Sequence, residues 1–281
     1  VHSPEMGLAL PNDGYTLRAY HMHGAAVTTA HSPIRCLRNG VAQYMFRHII
    51  EFNIKHSDLV LGVNDDCREY AERFGKDYVS APPSVDTSLF HGASRGPREV
   101  CTVGYVGRVD TNKNVTLIVE AVAKVRNAGL DVRLVIGGGG RDLTRVARRV
   151  EQLGLGHVTR LAGELSPLQV ADLMKEIDVF VMASRYEGLP TALLEAMASE
   201  CAAVVPRLPG IIEVVGQRDC AVVYDNYDPE AVAEAIARAA RDHIRLGSAA
   251  RSEILARYSA VARGRAVANA LRQLAGHKPT N

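Results

Sequence analysis

Two doubly wound α/β domains are predicted for this 281-residue chain. Three observations predict them. Short apolar runs alternate with helical segments along the second half, at the spacing of βαβ units. Those runs are apolar on both faces, as strands of a parallel sheet covered on both sides must be. The length suits one large domain or two modest ones, and residues 93–98 carry Ser, Gly and Pro with few large apolar side chains, as a linker does. The expected division is 1–92 for an N-terminal Rossmann-like domain and 99–257 for a C-terminal one. A C-terminal helix and tail, 258–281, is expected to cross back to the first domain.

The chain opens at Val1-His2 in what reads as a strand end. Residues 25–29 read as a strand ending at His31, 41–53 as a helix, 59–63 as a strand and 65–74 as a helix; Val79 marks a short strand. Beyond the linker, 101–107 is a Val-rich strand bounded by Gly. Residues 114–128 then place Leu117, Ile118, Ala121, Val122 and Val125 on one helix face, with Gly129 as the stop. A strand at 132–136 runs into Gly137-Gly138-Gly139-Gly140, and a basic helix follows to about residue 153. Strands at 158–161, 178–182 and 202–205 alternate with helices at 167–176 and 190–199. A last strand at 221–224 precedes a helix from Pro229 to about residue 242. The tail from about residue 248 reads as two Ala- and Arg-rich helices broken near Tyr258-Ser259.

The bulk chemistry excludes several classes. The chain has 33 basic and 31 acidic residues, a net charge of +2, which gives no general pull towards nucleic acid. Its five cysteines are scattered and form no C-x-x-C, which argues against a disulfide framework or a structural zinc and fits a reducing, cytoplasmic setting. No apolar run approaches the roughly 18 residues of a membrane span. Arg141, Arg145, Arg148 and Arg149 make a basic helix face, read first as a solvated face and second as a peripheral contact with anionic lipid. His21 and His23 flank Met22 without an evident third ligand, so no metal site is assigned.

Ligands of open parallel sheets bind beyond the carboxyl ends of the strands. The segment from Asp178 to Ser199 supplies such an end: a strand, a loop with Glu187 and Gly188, then Pro190 in the first turn of a helix. The free N–H groups around Leu189, Thr191 and Ala192, with the positive end of the helix dipole, make an anion site. Glu195 lies about one turn in and leans back towards it. Two carboxylates thus flank one phosphate site, suited to ribose or sugar hydroxyls. The loop after the strand at 101–107 carries Arg108 and Lys113, a planar fork and a point charge that together suit a diphosphate.

The E-x7-E segment EGLPTALLEAMA, with GR-x4-K upstream, resembles the family 4 glycosyltransferases, the large retaining group of the GT-B fold. The resemblance covers about residues 1–275 and is dense from Val103 to Glu213. It implies two Rossmann-like domains facing a cleft, a nucleotide sugar held mainly by the second, retention of configuration, and no cofactor or bound metal. It implies that Arg108 and Lys113 hold the diphosphate, that Glu187 contacts the donor sugar and Glu195 the ribose. Gly188, Leu189, Pro190 and Thr191 would line the sugar and phosphate pocket. Gly163 and Leu165 lie in a segment that resembles the family's loop whose backbone touches the base, and His31 resembles the N-terminal-domain histidine that reaches the reaction centre. Glu187, His31, Arg108 and Lys113 are the catalytic candidates. Three departures stand out: Asn114 follows Lys113 where Gly is usual, Pro83-Ser84-Val85-Asp86 replaces Asn-Gly-Val-Asp, and the N-terminal domain looks short or incomplete.

The reaction so implied moves a sugar from a nucleoside diphosphate to a hydroxyl of a glycan, glycolipid or natural product. A second reading is a non-catalytic nucleotide-sugar-binding module with a degenerate N-terminal domain. A nicotinamide-dependent dehydrogenase is disfavoured, because the third Gly of G-x-G-x-x-G is replaced by Asp142 or Leu143. Gly137 to Gly140 is read equally as a tight turn or as a phosphate cradle. Donor base, sugar, acceptor identity and oligomeric state are not legible in the residues.

Overall fold

The computed structural model describes residues 19–22, 40–63, 65–92, 100–216 and 218–277. The chain divides into two compact units, 1–83 with 261–281, and 84–260. Both contain parallel sheets with helices on both faces.

In the first unit, β1 (Ala19–Met22), β2 (Leu59–Gly62) and β3 (Asp77–Ser80) pair in parallel in that order. The central strand β2 is wholly buried. Its residues alternate between two packing layers, as the two-residue strand period requires. Val60 joins Ile50 and Ile54 of α1 (Gly40–Lys55) and Cys67 and Ala71 of α2 (Asp65–Arg73) on one face. Leu59 and Leu61 meet Val267 and Leu271 of the last helix on the other. The strand expected at 25–29 and His31 lie outside the described residues. The strand found at 19–22 has the mixed pattern Ala-Tyr-His-Met, which does not read as a buried strand.

The second unit alternates strand and α-helix, with one short 3-10 turn at Gly156–Val158: β4 (Cys101–Val106), α3 (Val115–Asn127), β5 (Val132–Gly137), α4 (Leu143–Gln152), β6 (Thr159–Gly163), α5 (Pro167–Glu176), β7 (Val179–Val181), α6 (Thr191–Ala198), β8 (Ala202–Pro206), α7 (Pro209–Val215), β9 (Ala221–Tyr224) and α8 (Pro229–Arg241). α9 (His243–Arg257) closes this unit, and the helix after it, α10 (Ala260–His277), groups with the first unit from Val261 onward. The break falls at Tyr258-Ser259 as expected, but α9 begins several residues before position 248. Residues 84–92 group with this unit, because Val85 and Phe90 are buried in its core.

The sheet is parallel, in the order β6-β5-β4-β7-β8-β9. Side chains alternate strictly between its two cores. Val179, Val181, Ala202 and Val204 face α3, α4 and α8, while Phe180, Met182, Ala203 and Val205 face α5, α6, α7 and α9. Local signals agree with this plan: Ser166 and Gln169 close a capping box at α5, and Asp228 caps α8 ahead of Pro229. The chain builds outward from β4 through β5 to β6, then returns to the other side of β4 for β7, β8 and β9. The reversal leaves a crevice between the loops that follow β4 and β7, the place where such sheets bind ligands.

Among the described residues no helix is long and apolar enough to cross a membrane.

Candidate active site

The crevice is lined by the loops in which the sequence places its candidates. After β4 the chain turns at Gly107 and presents Arg108, whose side chain is 75% exposed with its guanidinium 3.7 Å from Asp110. Tyr105 donates its hydroxyl to the Arg108 carbonyl at 2.6 Å, which fixes the backbone beneath that cation. Asp110 accepts the Lys113 amide through both its carbonyl and its carboxylate, at 3.0 and 3.2 Å, and so shapes the turn that aims Lys113. Asn114 then starts α3 in the left-handed region, at φ 50°. Asn tolerates that conformation better than other side chains, so the departure from Gly at this position preserves the turn.

The loop after β7 approaches from the other side of the crevice. Lys113 Nζ meets Glu187 Oε1 at 2.5 Å, with side-chain exposures of 18% and 9%. The two charges meet across 74 positions of sequence only because β4 and β7 are neighbours at the strand reversal.

Pro190 is not in the first turn of α6 but is its N-cap, with ψ 112°, and the helix begins at Thr191. The reason is local: Pro190 is extended, and Pro supplies no side-chain cap, so the first amides of α6 carry no capping side chain. Thr191 is exposed, Leu189 packs partly into the core and Pro190 is buried. Glu195 is half-buried one turn in, and burial raises its carboxyl from the usual range to about 7. Gly188 abuts the first turn of α7. A Cβ on Gly210 would stand 1.4 Å from the Gly188 carbonyl oxygen, so only glycine fits there.

Gly137 to Gly140 packs closely against the neighbouring loops. Gly138, at φ 123°, donates its amide to the Gly163 carbonyl at 2.6 Å, and a Cβ there would lie 1.9 Å from the Gly107 carbonyl oxygen. Val109 in turn donates to the Gly139 carbonyl at 2.8 Å. The run therefore seats the Arg108 loop against β5 and β6. Leu165 packs over Gly137, so Gly163 and Leu165 border the same end of the sheet.

The structure thus brings Arg108, Lys113, Glu187, Gly188, Gly163 and Leu165 to the carboxyl ends of neighbouring strands, and puts Thr191 and Glu195 on the helix that leaves the Glu187 loop. His31 lies outside the described residues. Four further residues shape this region without having been singled out: Asn112, Gly210, Tyr224 and Tyr227. Of these, only Gly210 carried a linear signal, the turn dipeptide Pro209-Gly210 ahead of an apolar run.

Residues 91–253, more than half of the chain, match the model of the family described as Glycosyl transferases group 1. The chain belongs to that family. Family membership agrees with the resemblance seen in the E-x7-E and GR-x4-K segments, and both of those segments lie inside the matched residues. This group 1 glycosyl transferase is 29% identical over 189 residues to a GDP-mannose-dependent alpha-(1-6)-phosphatidylinositol dimannoside mannosyltransferase of Mycobacterium tuberculosis, a match that covers 64% of this chain and 48% of the relative. The chain spans about half or less of the length of the curated relatives it matches. Its fold matches sucrose-phosphate synthase from Thermosynechococcus elongatus with a TM-score of 0.74 at 20% identity, over 92% of this chain and 68% of that one. It also matches Anabaena Alr3699/HepE in complex with UDP and glucose, with a TM-score of 0.72 at 15% identity, over 90% and 71%. These neighbours establish the GT-B fold for the group 1 chain.

Proposed function

We propose that this chain is the catalytic part of a metal-independent, retaining glycosyltransferase that moves a sugar from a nucleoside diphosphate to an acceptor hydroxyl. The observation that carries this reading is the Lys113–Glu187 ion pair at the strand reversal, with the exposed Arg108 beside it. Two cations and the first turn of α6 are suited to a diphosphate, and Glu187 to sugar hydroxyls. Two similar proteins support such a donor: one relative is GDP-mannose-dependent, and one structural neighbour holds UDP and glucose.

In the proposed reaction the bond from the anomeric carbon to the β-phosphate oxygen breaks, and its electron pair stays on that oxygen. Arg108 and Lys113 stabilise the charge that grows there, an effect specific to the transition state. The acceptor oxygen bonds to the same face of the anomeric carbon, and its proton passes to the departing phosphate. Glu187 holds the sugar and Glu195 the ribose; the Gly163–Leu165 loop borders the base, and His31 is assigned to the reaction centre. The cations do the work a metal would otherwise do, so none is required. The acceptor is a glycan, glycolipid or natural-product hydroxyl.

Titration calorimetry with UDP, GDP and ADP tests the donor site, and release of UDP from UDP-glucose or of GDP from GDP-mannose tests turnover. Binding of one nucleotide that Arg108→Ala abolishes is the expected result. Binding without turnover in the presence of glycan and glycolipid acceptors would favour a non-catalytic binding module. No binding of any of the three would remove the donor-site assignment.

A further inference from the structure

The main chain between β7 and α6 is held at alternate carbonyls. Met182 accepts the hydroxyl of Tyr224 at 2.8 Å, Ser184 that of Tyr227 at 2.8 Å, and Tyr186 the side-chain amide of Asn112 at 3.0 Å. The first two donors come from β9 and the turn after it. The third comes from the loop after β4, on the other side of the crevice.

Asn112 grips the opposite loop twice. Its side-chain Nδ2 donates to the Tyr186 carbonyl, and its own carbonyl accepts the Arg185 amide at 2.9 Å. The next residue in one loop is Lys113 and the next in the other is Glu187, which form the ion pair. The clip and the ion pair are therefore adjacent on both strands of chain. A side-chain bond one residue away from Glu187 limits the backbone rotation that would carry its carboxylate away from Lys113.

The residue type fits the task. A carbonyl needs a donor, and the Asn amide supplies one from a short, half-buried side chain. Asp at this position would set a carboxylate oxygen against the Tyr186 carbonyl. The backbone bond from Arg185 to the Asn112 carbonyl does not depend on the side chain, so substitution leaves the loops joined at one point.

We propose that Asn112 is a positioning residue for sugar transfer, fixing the Glu187 carboxylate relative to Lys113 by holding the Tyr186 carbonyl. This rests on the glycosyl-transfer reading of the same site.

The test measures UDP release from UDP-glucose and GDP release from GDP-mannose by the wild-type chain, Asn112→Ala and Asn112→Asp, each also in a Glu187→Gln background. The expected result is a fall in kcat of at least about tenfold in both single variants, the scale of a small misplacement of reacting groups. KM should change by less than about threefold, and Tm little. In the Glu187→Gln background, Asn112→Ala should cost nothing more, because residues acting as one unit are not additive. Loss of kcat that merely tracks a lowered Tm, or an equal further loss in Glu187→Gln, overturns the proposal. If the wild-type chain releases nucleotide from neither donor, the transfer reading fails. Amide hydrogen exchange then judges the clip: faster exchange at residues 185–188 in Asn112→Ala, with β7 unchanged, upholds it, and unchanged exchange sinks it.

Discussion

Gly210 lies under Gly188 so closely that the carbonyl of one occupies the space a side chain on the other would need. The first turn of α7 thereby sets how far the Glu187–Gly188 loop can sink towards the sheet. Gly210→Ala must push that loop outward, since both groups in contact are near backbone. We expect kcat/KM for donor turnover to fall by about 10²-fold, a loss typical of small misplacements at a reacting centre. A crystal structure of the variant should show Gly188 displaced; a wild-type rate would show that the loop's depth is unimportant.

Lys113 and Arg108 should separate binding from stability. Glu187 is nearly buried, so Lys113→Ala leaves its charge without a cation and should destabilise the chain by about 3 kcal/mol. Arg108 is 75% exposed, and Arg108→Ala should change stability by no more than about 0.5 kcal/mol. Both variants should lose nucleoside diphosphate binding by calorimetry. In urea titrations, Lys113→Ala with Glu187→Gln should regain most of the lost stability while binding stays absent.

Glu195 predicts a pH dependence of stability. Burial raises its carboxyl from 4.5 to about 7 in the folded chain. Between those values the native state holds a proton that the unfolded state has released. The preference for the folded form is therefore greatest at low pH and declines as pH rises from 4.5 to about 7. Glu195→Gln removes the burden of the buried charge, so its Tm should exceed that of wild type by roughly 3 °C at pH 8 and match it at pH 5. Ribose hydroxyls donating to this carboxylate favour its ionised form. Nucleotide affinity should then weaken by about tenfold from pH 8 to pH 6. A flat profile for both quantities would remove Glu195 from the ribose contact.

Gly138→Ala tests the packing role of the glycine run. Its φ of 123° is poorly open to alanine, and the Gly107 carbonyl blocks the added carbon. A loss of about 3 kcal/mol or more in denaturant unfolding is expected. Unchanged stability would return the run to the role of a phosphate cradle.

Much of the second unit was legible in residues alone. Buried parallel strands are continuous apolar runs, and some of the helices between them end or begin on a recognisable residue, such as Gly129 after α3 or Ser166 before α5. Two elements escaped for opposite reasons. The strand at Ala19–Met22 is too polar to read as buried, and α7, Pro209–Val215, contains the β-branched run Ile-Ile-Glu-Val-Val, which favours a strand until tertiary packing decides otherwise. Within the site, the charged residues announced themselves through two linear motifs. The residues that hold them did not. Tyr224, Tyr227 and Asn112 each reach a carbonyl of the Glu187 loop from a distant part of the chain, and a contact with backbone leaves no mark at the receiving position.

The reversal of strand order at β4 also orders events in time. β4, β5 and β6 are consecutive in the chain and neighbours in the sheet, so half of the sheet can pair as it leaves the ribosome. β7 takes its place beside β4 only after the chain has grown by a further helix and turn. Until then the Arg108–Lys113 loop has no counterpart, and its cations face solvent beside an open sheet edge. A nascent chain stalled before Val179 would thus be half folded, basic at one edge and unable to form the Lys113–Glu187 pair.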